Sequence, residues 1–181
     1  SLIKNISKQA AYNWCPSGDS EMTPVLVSNG AVNRFGLKRI SFDDILEMQA
    51  RFRSLDVNAD SLVTVLNPFH LADLHAEDVK LYKEILASGK IFNSKLFTFS
   101  GLPYFDTTTG KKKAFGAATG TTDTQASLMY CETEVCLARG DTEVFARYKD
   151  PKERGDIIGF QQRAMALAIR GKYIGALYSG K

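Results

Sequence analysis

Apolar and polar residues alternate most clearly near the end of the chain. Val144, Ala146 and Tyr148 alternate with charged neighbours, and this period of two predicts a half-buried strand. The segment 149–156 that follows contains proline, glycine and charged residues, which is typical of a solvated turn. The pattern therefore predicts the first limb of a β-hairpin.

The second limb, residues 157–169, has two interpretations. Good helix formers run from Gln161 to Arg170, and the following Gly171 is typical of a helix C-terminus. In a strand, however, Ile158 and Phe160 would share one apolar face, and pairing with the preceding strand favours a sheet. We predict a strand for this segment.

The earlier part of the chain combines helices with short strands. Ser41 and Asp44 form a capping pair that starts a helix. The β-branched run Leu62–Leu66 predicts a buried strand, and Pro68 suits the first turn of a helix. Further predictions are helices at 69–74 and 76–88, strands at 24–27, 95–99 and 126–131, and a short helix or frayed segment at 3–12. Helices and strands in this order predict an α+β fold.

The composition is that of an ordinary globular protein, with 44% hydrophobic and 24% charged residues among 181. The net charge of +3 is weak and does not indicate an electrostatic nucleic-acid binder. No apolar run approaches the ~18 residues that a membrane span needs, so no membrane partner is predicted. An odd count of three cysteines favours a reducing compartment, with Cys131 and Cys136 as small buried hydrophobic residues.

Residues with catalytic or ligand-binding chemistry form no recognisable motif. His70 and His75 lie five residues apart, off the spacing that directs two imidazoles at one metal ion. The chain lacks a Gly-x-Ser-x-Gly nucleophile motif, and the glycine-rich segment 116–120 lacks the features of a phosphate-binding or dinucleotide-binding loop. We therefore predict no catalytic, cofactor-binding or metal-ligating residue, no cofactor and no enzymatic activity.

A series of segments resembles a known family in the same order along the chain: the helix 41–55, Leu62–Pro68, Gly101–Tyr104, Ala126–Tyr130, and the hairpin 143–156 with the apolar strands after it. Together they resemble the major capsid proteins of tailed phages, which have the Hong Kong ninety-seven-type fold. The resemblance implies an α+β fold with a mixed sheet and flanking helices (the axial domain) and a long antiparallel strand element (the peripheral domain).

The resemblance also implies a division of the chain. Residues 1–36 are expected to be an N-terminal segment with peripheral-domain strands. Residues 37–135 are expected to form an α/β core like the axial domain, and residues 136–181 to supply C-terminal strands that close the sheet. Because nothing resembles the long spine helix of the family, the resemblance implies a truncated subunit.

The function that this resemblance implies is structural. The chain would be a subunit of the icosahedral capsid of a tailed phage or prophage, assembling with its own copies into hexameric and pentameric capsomers around the genome. It would assemble in the cytoplasm of the bacterial host and reside in the virion. Two alternatives stay open: an encapsulin-like shell protein of a protein compartment, and an α+β enzyme or ligand-binding domain whose site is built from scattered residues.

The resemblance finally points to candidate subunit contacts. The long polar loop 107–124 is expected near the capsomer axis, because such loops in compact domains are usually functional or disordered. The candidates in this loop and in the turn 149–156 are Thr107, Thr109, Lys111, Lys112, Lys113, Lys152, Arg154 and Asp156. The loop lysines are expected to face solvent, a neighbour or packaged DNA in a weak non-specific contact. Lys152 and Arg154 are expected to pair with acidic groups on adjacent subunits.

Overall fold

The structure is a computed structural model that describes residues 8–18, 25–150 and 155–181. Its α-helices are α1 (Lys8–Trp14), α2 (Phe42–Arg53), α3 (Pro68–Glu77) and α4 (Val79–Ser88). Its strands are β1 (Val25–Ser28), β2 (Leu62–Leu66), β3 (Lys90–Ile91), β4 (Ser94–Thr98), β5 (Tyr104–Asp106), β6 (Asp123–Cys131), β7 (Val135–Arg139), β8 (Glu143–Asp150), β9 (Gly155–Gln161), β10 (Ala164–Ala168) and β11 (Ile174–Ser179). The predicted α+β class is confirmed.

Seven of the described strands form a central mixed sheet. Its order is β1-β11-β6-β2-β4-β3, and β5 also pairs with β6. The β1/β11 and β2/β4 pairs are parallel, whereas the remaining pairs are antiparallel. Because β2 lies inside the sheet, all five of its residues are buried, which explains its uninterrupted apolar and β-branched sequence.

The sheet has a hydrophobic core on each face. On one face, Leu62 and Leu66 of β2 pack in a cluster with α2 residues such as Phe52. On the other face, Val63 and Val65 pack in a second cluster that includes Trp14 of α1. Successive strand residues point to opposite faces, so one short strand supplies both cores.

Local capping chemistry determines where the helices begin. Ser41 and Asp44 form a complete capping box, which confirms the predicted start of α2. Asn67 caps α3 ahead of Pro68, and Asp78 separates α3 from α4 by accepting from the first backbone N–H groups of α4. The predicted break at residue 75 is therefore three residues early. None of the helices in the described ranges is long and apolar enough to cross a membrane.

Strands β7 to β10 form a two-stranded structure outside the central sheet, which we call the ribbon (residues 135–168). β7 pairs with β10 at its base, and β8 pairs with β9 in its outer half. Four residue steps separate Arg139 from Glu143 on the first limb, whereas three separate Gln161 from Ala164 on the second. The first limb thus carries one extra residue, as in a β-bulge, and Gly140 closes it by donating its N–H to the Arg163 carbonyl.

The ribbon confirms one prediction and corrects another. Residues 157–169 form strands β9 and β10, as predicted, because they find antiparallel partners in β8 and β7. The face of β8 predicted to be half-buried is instead exposed, since β8 pairs only with β9 among the described strands. In the predicted C-terminal segment 136–181, β11 hydrogen-bonds within the central sheet, next to β1 from the predicted N-terminal segment. The proposed division into segments stays a prediction.

Candidate functional site

The outer half of the ribbon carries its apolar residues on one face. Val144 lies opposite Phe160, and Ala146 lies opposite Ile158. Tyr148 follows on the same side of β8, because alternate residues of a strand share a face. We call this set the apolar face: Val144, Ala146, Tyr148, Ile158 and Phe160.

The opposite side of the ribbon is mixed in character. There Glu143 lies opposite Gln161, Phe145 opposite Gly159, and Arg147 opposite Ile157. Glu143 and Arg147 therefore lie away from the apolar face, on a side that also exposes Phe145 and Ile157. The outer half of the ribbon is thus more apolar on one face than on the other, as in a strand pair covered on one side.

The apolar face is nevertheless open to solvent in the isolated chain. Tyr148 and Phe160 are each 73% exposed, Val144 is 58% exposed and Ile158 is 56% exposed. An aromatic side chain offers ~150–250 Å² for burial, so the two rings alone expose roughly 300 Å². The largest contiguous apolar patch on a soluble monomer is typically of about this size and is often functional. A two-stranded ribbon is also marginally stable alone, so a covering partner would stabilise it.

The base of the ribbon is supported on one side by α1. The amide of Asn13 donates to the carbonyl oxygen of Ala166 at 3.3 Å, and Ala166 is buried. The other side of the base presents Met165 and Leu167, which are exposed. Cys136 lies opposite Leu167 on this outer side, which corrects the prediction that this cysteine is buried.

The 107–122 loop is held by internal hydrogen bonds. Thr107, a predicted contact residue, is half-buried, and both its N–H and its hydroxyl donate to the carbonyl of Thr122. Asp106 accepts from the N–H of Thr108, and this bond holds the pKa of the carboxyl below its usual range. Thr109 lies exposed at the tip of the loop. These bonds give the loop a defined conformation before any partner binds.

The three loop lysines have different environments. Lys111 is exposed, whereas the Lys112 ammonium donates to the carbonyl oxygens of Tyr12 at 2.9 Å and Cys15 at 2.8 Å. Burial lowers the pKa of Lys112. Lys113 forms an ion pair with Asp123 at 3.0 Å. The prediction that all three face outward is wrong for Lys112, because helix carbonyls draw its ammonium inward.

The candidate residues of the 149–156 turn are only partly covered by the structure. Lys152 and Arg154 lie outside the described residues. Asp156 is exposed near the start of β9. Among the described residues, the turn and the 107–122 loop do not form a shared site. The roles of both segments in subunit contact stay predictions.

Solved structures of phage particles share this architecture. A structure of Mycobacterium phage Che8 matches with a TM-score of 0.58 and 11% identity, over 94% of this chain and 56% of that chain. The capsid of cyanophage P-SCSP1u matches with a TM-score of 0.58 and 12% identity, over 94% and 57% of the two chains. The head of Helicobacter pylori bacteriophage KHP40 matches with a TM-score of 0.58 and 13% identity, over 94% and 64%. The fold is that of a phage capsid protein.

The predicted resemblance to tailed-phage capsid proteins is thus confirmed at the level of the fold. No model of a known protein family matches the sequence, and no curated protein matches it. This chain spans about 56% of the Che8 chain and 57% of the P-SCSP1u chain.

His70 is buried within this capsid fold. The sequence analysis considered it only as a metal ligand. Its Nδ1 lies 2.6 Å from the hydroxyl of Ser127, and its Nε2 lies 3.0 Å from the hydroxyl of Ser179. Burial lowers the pKa of His70 to about 3. The side chain is 2% exposed, so a substrate cannot reach this Ser-His-Ser arrangement. It joins α3 to the sheet instead.

Other side chains of the described regions offer little for catalysis or metal binding. No three metal-ligating side chains come together in the part of the chain that the structure describes. A groove of about 190 Å³ beside the 107–122 loop is lined by apolar and aromatic residues such as Tyr12, Leu102 and Phe115, together with Lys8 and Lys113. Among the described residues that line it, none is a carboxylate, a histidine or a cysteine.

Proposed function

We propose that this chain is a structural subunit of the icosahedral capsid of a tailed phage or prophage. It assembles with copies of itself into hexameric and pentameric capsomers around the genome. The capsid fold supports this proposal, since the chain matches the P-SCSP1u capsid and the KHP40 head over 94% of its length. The same reasoning favours a virion component that assembles in the bacterial cytoplasm.

The apolar face of the ribbon is the observation that most directly supports self-assembly. It has the alternation of a buried sheet surface, with Val144 paired to Phe160 and Ala146 paired to Ile158, and yet it is exposed in the single chain. Covering it with a neighbouring copy buries that surface in the assembly. A contact between this face and a different surface of the next copy is heterologous, and such contacts form rings where the rotation between copies closes.

A structural role is favoured over an enzymatic one. Enzyme sites are concave and combine an apolar lining with convergent polar groups, often with perturbed pKa values. His70 has such a pKa but is sealed from solvent, and the groove beside the 107–122 loop lacks acid–base groups among its described lining residues. The encapsulin-like alternative is not better supported, because the chain matches the structures of a phage capsid and a phage head.

The loop and the turn are proposed as further contacts. We propose that Thr107, Thr109 and Lys111 lie near the capsomer axis, and the hydrogen bonds within the loop support a contact role because they give it a defined surface. Asp156, together with Lys152 and Arg154 of the same turn, is proposed to meet charged groups of an adjacent subunit. Exposed pairs of this kind add little affinity but help to fix register.

A weak and sequence-independent contact with packaged DNA stays a prediction. The net charge is only +3, and Lys113 is neutralised locally by Asp123. Lys112 is turned toward α1, so Lys111 is the exposed lysine of the run. We expect duplex DNA to bind with an affinity that collapses as salt rises, because such binding rests on released counterions.

The decisive experiment compares two phenylalanine variants of the ribbon. Phe160→Ser removes a ring from the apolar face, and Phe145→Ser removes a ring of comparable exposure from the opposite face. Oligomer size is measured by sedimentation velocity over a range of concentrations, with electron microscopy to detect rings or shells. Burying ~110–180 Å² of the Phe160 ring is worth about 3 kcal/mol per contact, so Phe160→Ser should weaken association roughly a hundred-fold.

The matched variant Phe145→Ser should assemble nearly as well as the unmodified chain. Circular dichroism confirms that both variants are folded. Equal losses in the two variants would mean that the ribbon is needed only for solubility or folding. An unmodified chain that stays monomeric at every concentration would refute the proposed self-assembly.

A further inference from the structure

Helix α1 lies between the 107–122 loop and the base of the ribbon. On one side it packs against the base of the ribbon, where Asn13 donates to the Ala166 carbonyl. Ala10, Ala11 and Trp14 are buried in the same cluster as Val135 and Ala166 of the ribbon base. A shift of α1 would therefore change its packing against β10.

The 107–122 loop is hydrogen-bonded to the C-terminal end of the same helix. The Lys112 ammonium donates to the carbonyls of Tyr12 and Cys15, at 2.9 and 2.8 Å. The last carbonyls of a helix lack intrahelical donors, so a cation placed there satisfies them and also complements the helix dipole. The ammonium also lies 4.0 Å from the centre of the Tyr12 ring, in a cation–π contact.

Further contacts hold the loop against the end of α1. The N–H of Lys112 donates to the carbonyl of Ser17 at 3.0 Å, which ties the loop to the segment after α1. Gly18 has a positive φ of 86°, and a Cβ at this position would collide with the carbonyl oxygen of Gly110. The ring of Phe115 meets that of Tyr12 edge-on at 5.6 Å. The loop and the helix end therefore form one packed unit.

We propose that Lys112 is a positioning residue that couples the 107–122 loop to the ribbon through α1. A neighbour that displaces the loop would withdraw the ammonium from the helix carbonyls and loosen α1 on the ribbon base. This coupling is a property of the single chain and goes beyond the proposed function. One consequence does rest on that function: during assembly, a subunit contact at the loop would alter the packing of the ribbon base.

Lys112→Met tests the coupling, with Lys111→Met as the control. Methionine keeps an unbranched apolar side chain and removes the ammonium with its hydrogen bonds and its cation–π contact to Tyr12. Both variants remove one positive charge from the same loop. Amide hydrogen exchange is followed in the monomer, at a concentration below that at which it associates. A charge-assisted hydrogen bond contributes enough that protection in α1 and β10 should fall roughly ten- to a hundred-fold.

The pattern of exchange separates positioning from general destabilisation. In Lys112→Met, protection in β2 and β4 should stay within about threefold of the original chain, and Lys111→Met should leave α1 and β10 unchanged. Lys112→Arg, which keeps a donor and a charge, should restore most of the protection. Unchanged protection in α1 and β10 of Lys112→Met would overturn the proposal. Uniform loss that includes β2, or an equal loss in Lys111→Met, would overturn it as well.

These exchange measurements do not depend on assembly. If the chain proves not to form capsomers, the coupling in the monomer can still be present. If the coupling is absent while Phe160→Ser abolishes assembly, the proposed function stands and only the role of Lys112 falls.

Discussion

Burial of His70 should make the stability of this protein depend on pH between about 5 and 7.5. The imidazole is 2% exposed and held between the hydroxyls of Ser127 and Ser179, at 2.6 and 3.0 Å. A neutral imidazole has one donor and one acceptor nitrogen, and each hydroxyl can supply the complementary role. Protonation would require both hydroxyls to accept, inside a core that penalises the added charge.

The sign follows from the two pKa values. Burial lowers the pKa of His70 from 6.5 to about 3 in the folded chain. Between these values the unfolded chain binds a proton that the folded chain does not, so the free energy of unfolding falls as pH falls. The contribution is nearly complete above about pH 7.5, where the unfolded imidazole is mostly neutral. It shrinks by about 2 kcal/mol between pH 8 and pH 5, and by about 5 kcal/mol once pH falls through 3.

Urea denaturation at a series of pH values from 5 to 8 measures this slope. Asp106 and Asp123, whose pKa values are lowered, do not contribute in this window. Burial raises the pKa of Asp73 in the same helix, so any contribution of that carboxyl to the slope is present in every variant and cancels when the slopes are compared. His70→Gln keeps a donor and an acceptor but cannot titrate, so its slope should be smaller than that of the original chain by the contribution of His70, even though its stability is lower. His75→Gln, which changes an exposed histidine of the same helix, is the matched control.

The comparison of slopes decides whether this reasoning holds. A flat profile in the unmodified chain would show that the folded state takes up the proton as easily as the unfolded state. An equal loss of slope in His70→Gln and His75→Gln would show that burial of His70 is not the cause. Either result would refute the assignment of a neutral, sealed imidazole.

Three further variants test the fold by thermal or urea denaturation. Ser41→Ala removes the cap of α2 and should cost about 1 kcal/mol, whereas Ser41→Asp should retain most of the stability; equal losses would argue against the capping box. Gly18→Ala should cost more than 1 kcal/mol, because of its positive φ and the clash with Gly110, while Gly116→Ala isolates the cost of positive φ in open space. Phe52→Ala should cost about 3–5 kcal/mol, since the ring is fully buried, and a loss below 1 kcal/mol would contradict that packing.

Features that depend on neighbouring residues in the sequence were predictable. The capping box at Ser41 and the helix start at Pro68 are local, because the residues that satisfy the first backbone N–H groups lie within one turn. The buried strand Leu62–Leu66 was predictable because a strand inside a sheet needs apolar residues on both faces. The alternation at Val144–Tyr148 correctly indicated a strand.

Features that depend on distant partners were not predictable from the sequence. Alternation shows that a face is meant to be covered, but it does not say whether the same chain or another covers it, and the apolar face was therefore misassigned as buried. Lys112 looked like a loop-tip lysine, because its partners Tyr12 and Cys15 are about a hundred residues away. Cys136 looked apolar and buried, but its position on the outer side of the ribbon base follows from its pairing with Leu167.

The position of β11 has a consequence for synthesis on the ribosome. β1 is joined to the rest of the central sheet through β11, with Val25 paired to Ala176 and Ala176 paired in turn to Leu128. The backbone groups of residues 25–28 that pair with β11 therefore stay without that partner until residues 174–179 have left the exit tunnel. Contacts between such widely separated parts of a chain form slowly. The nascent polypeptide thus passes through a period in which this edge is open to chaperones or to the wrong strand.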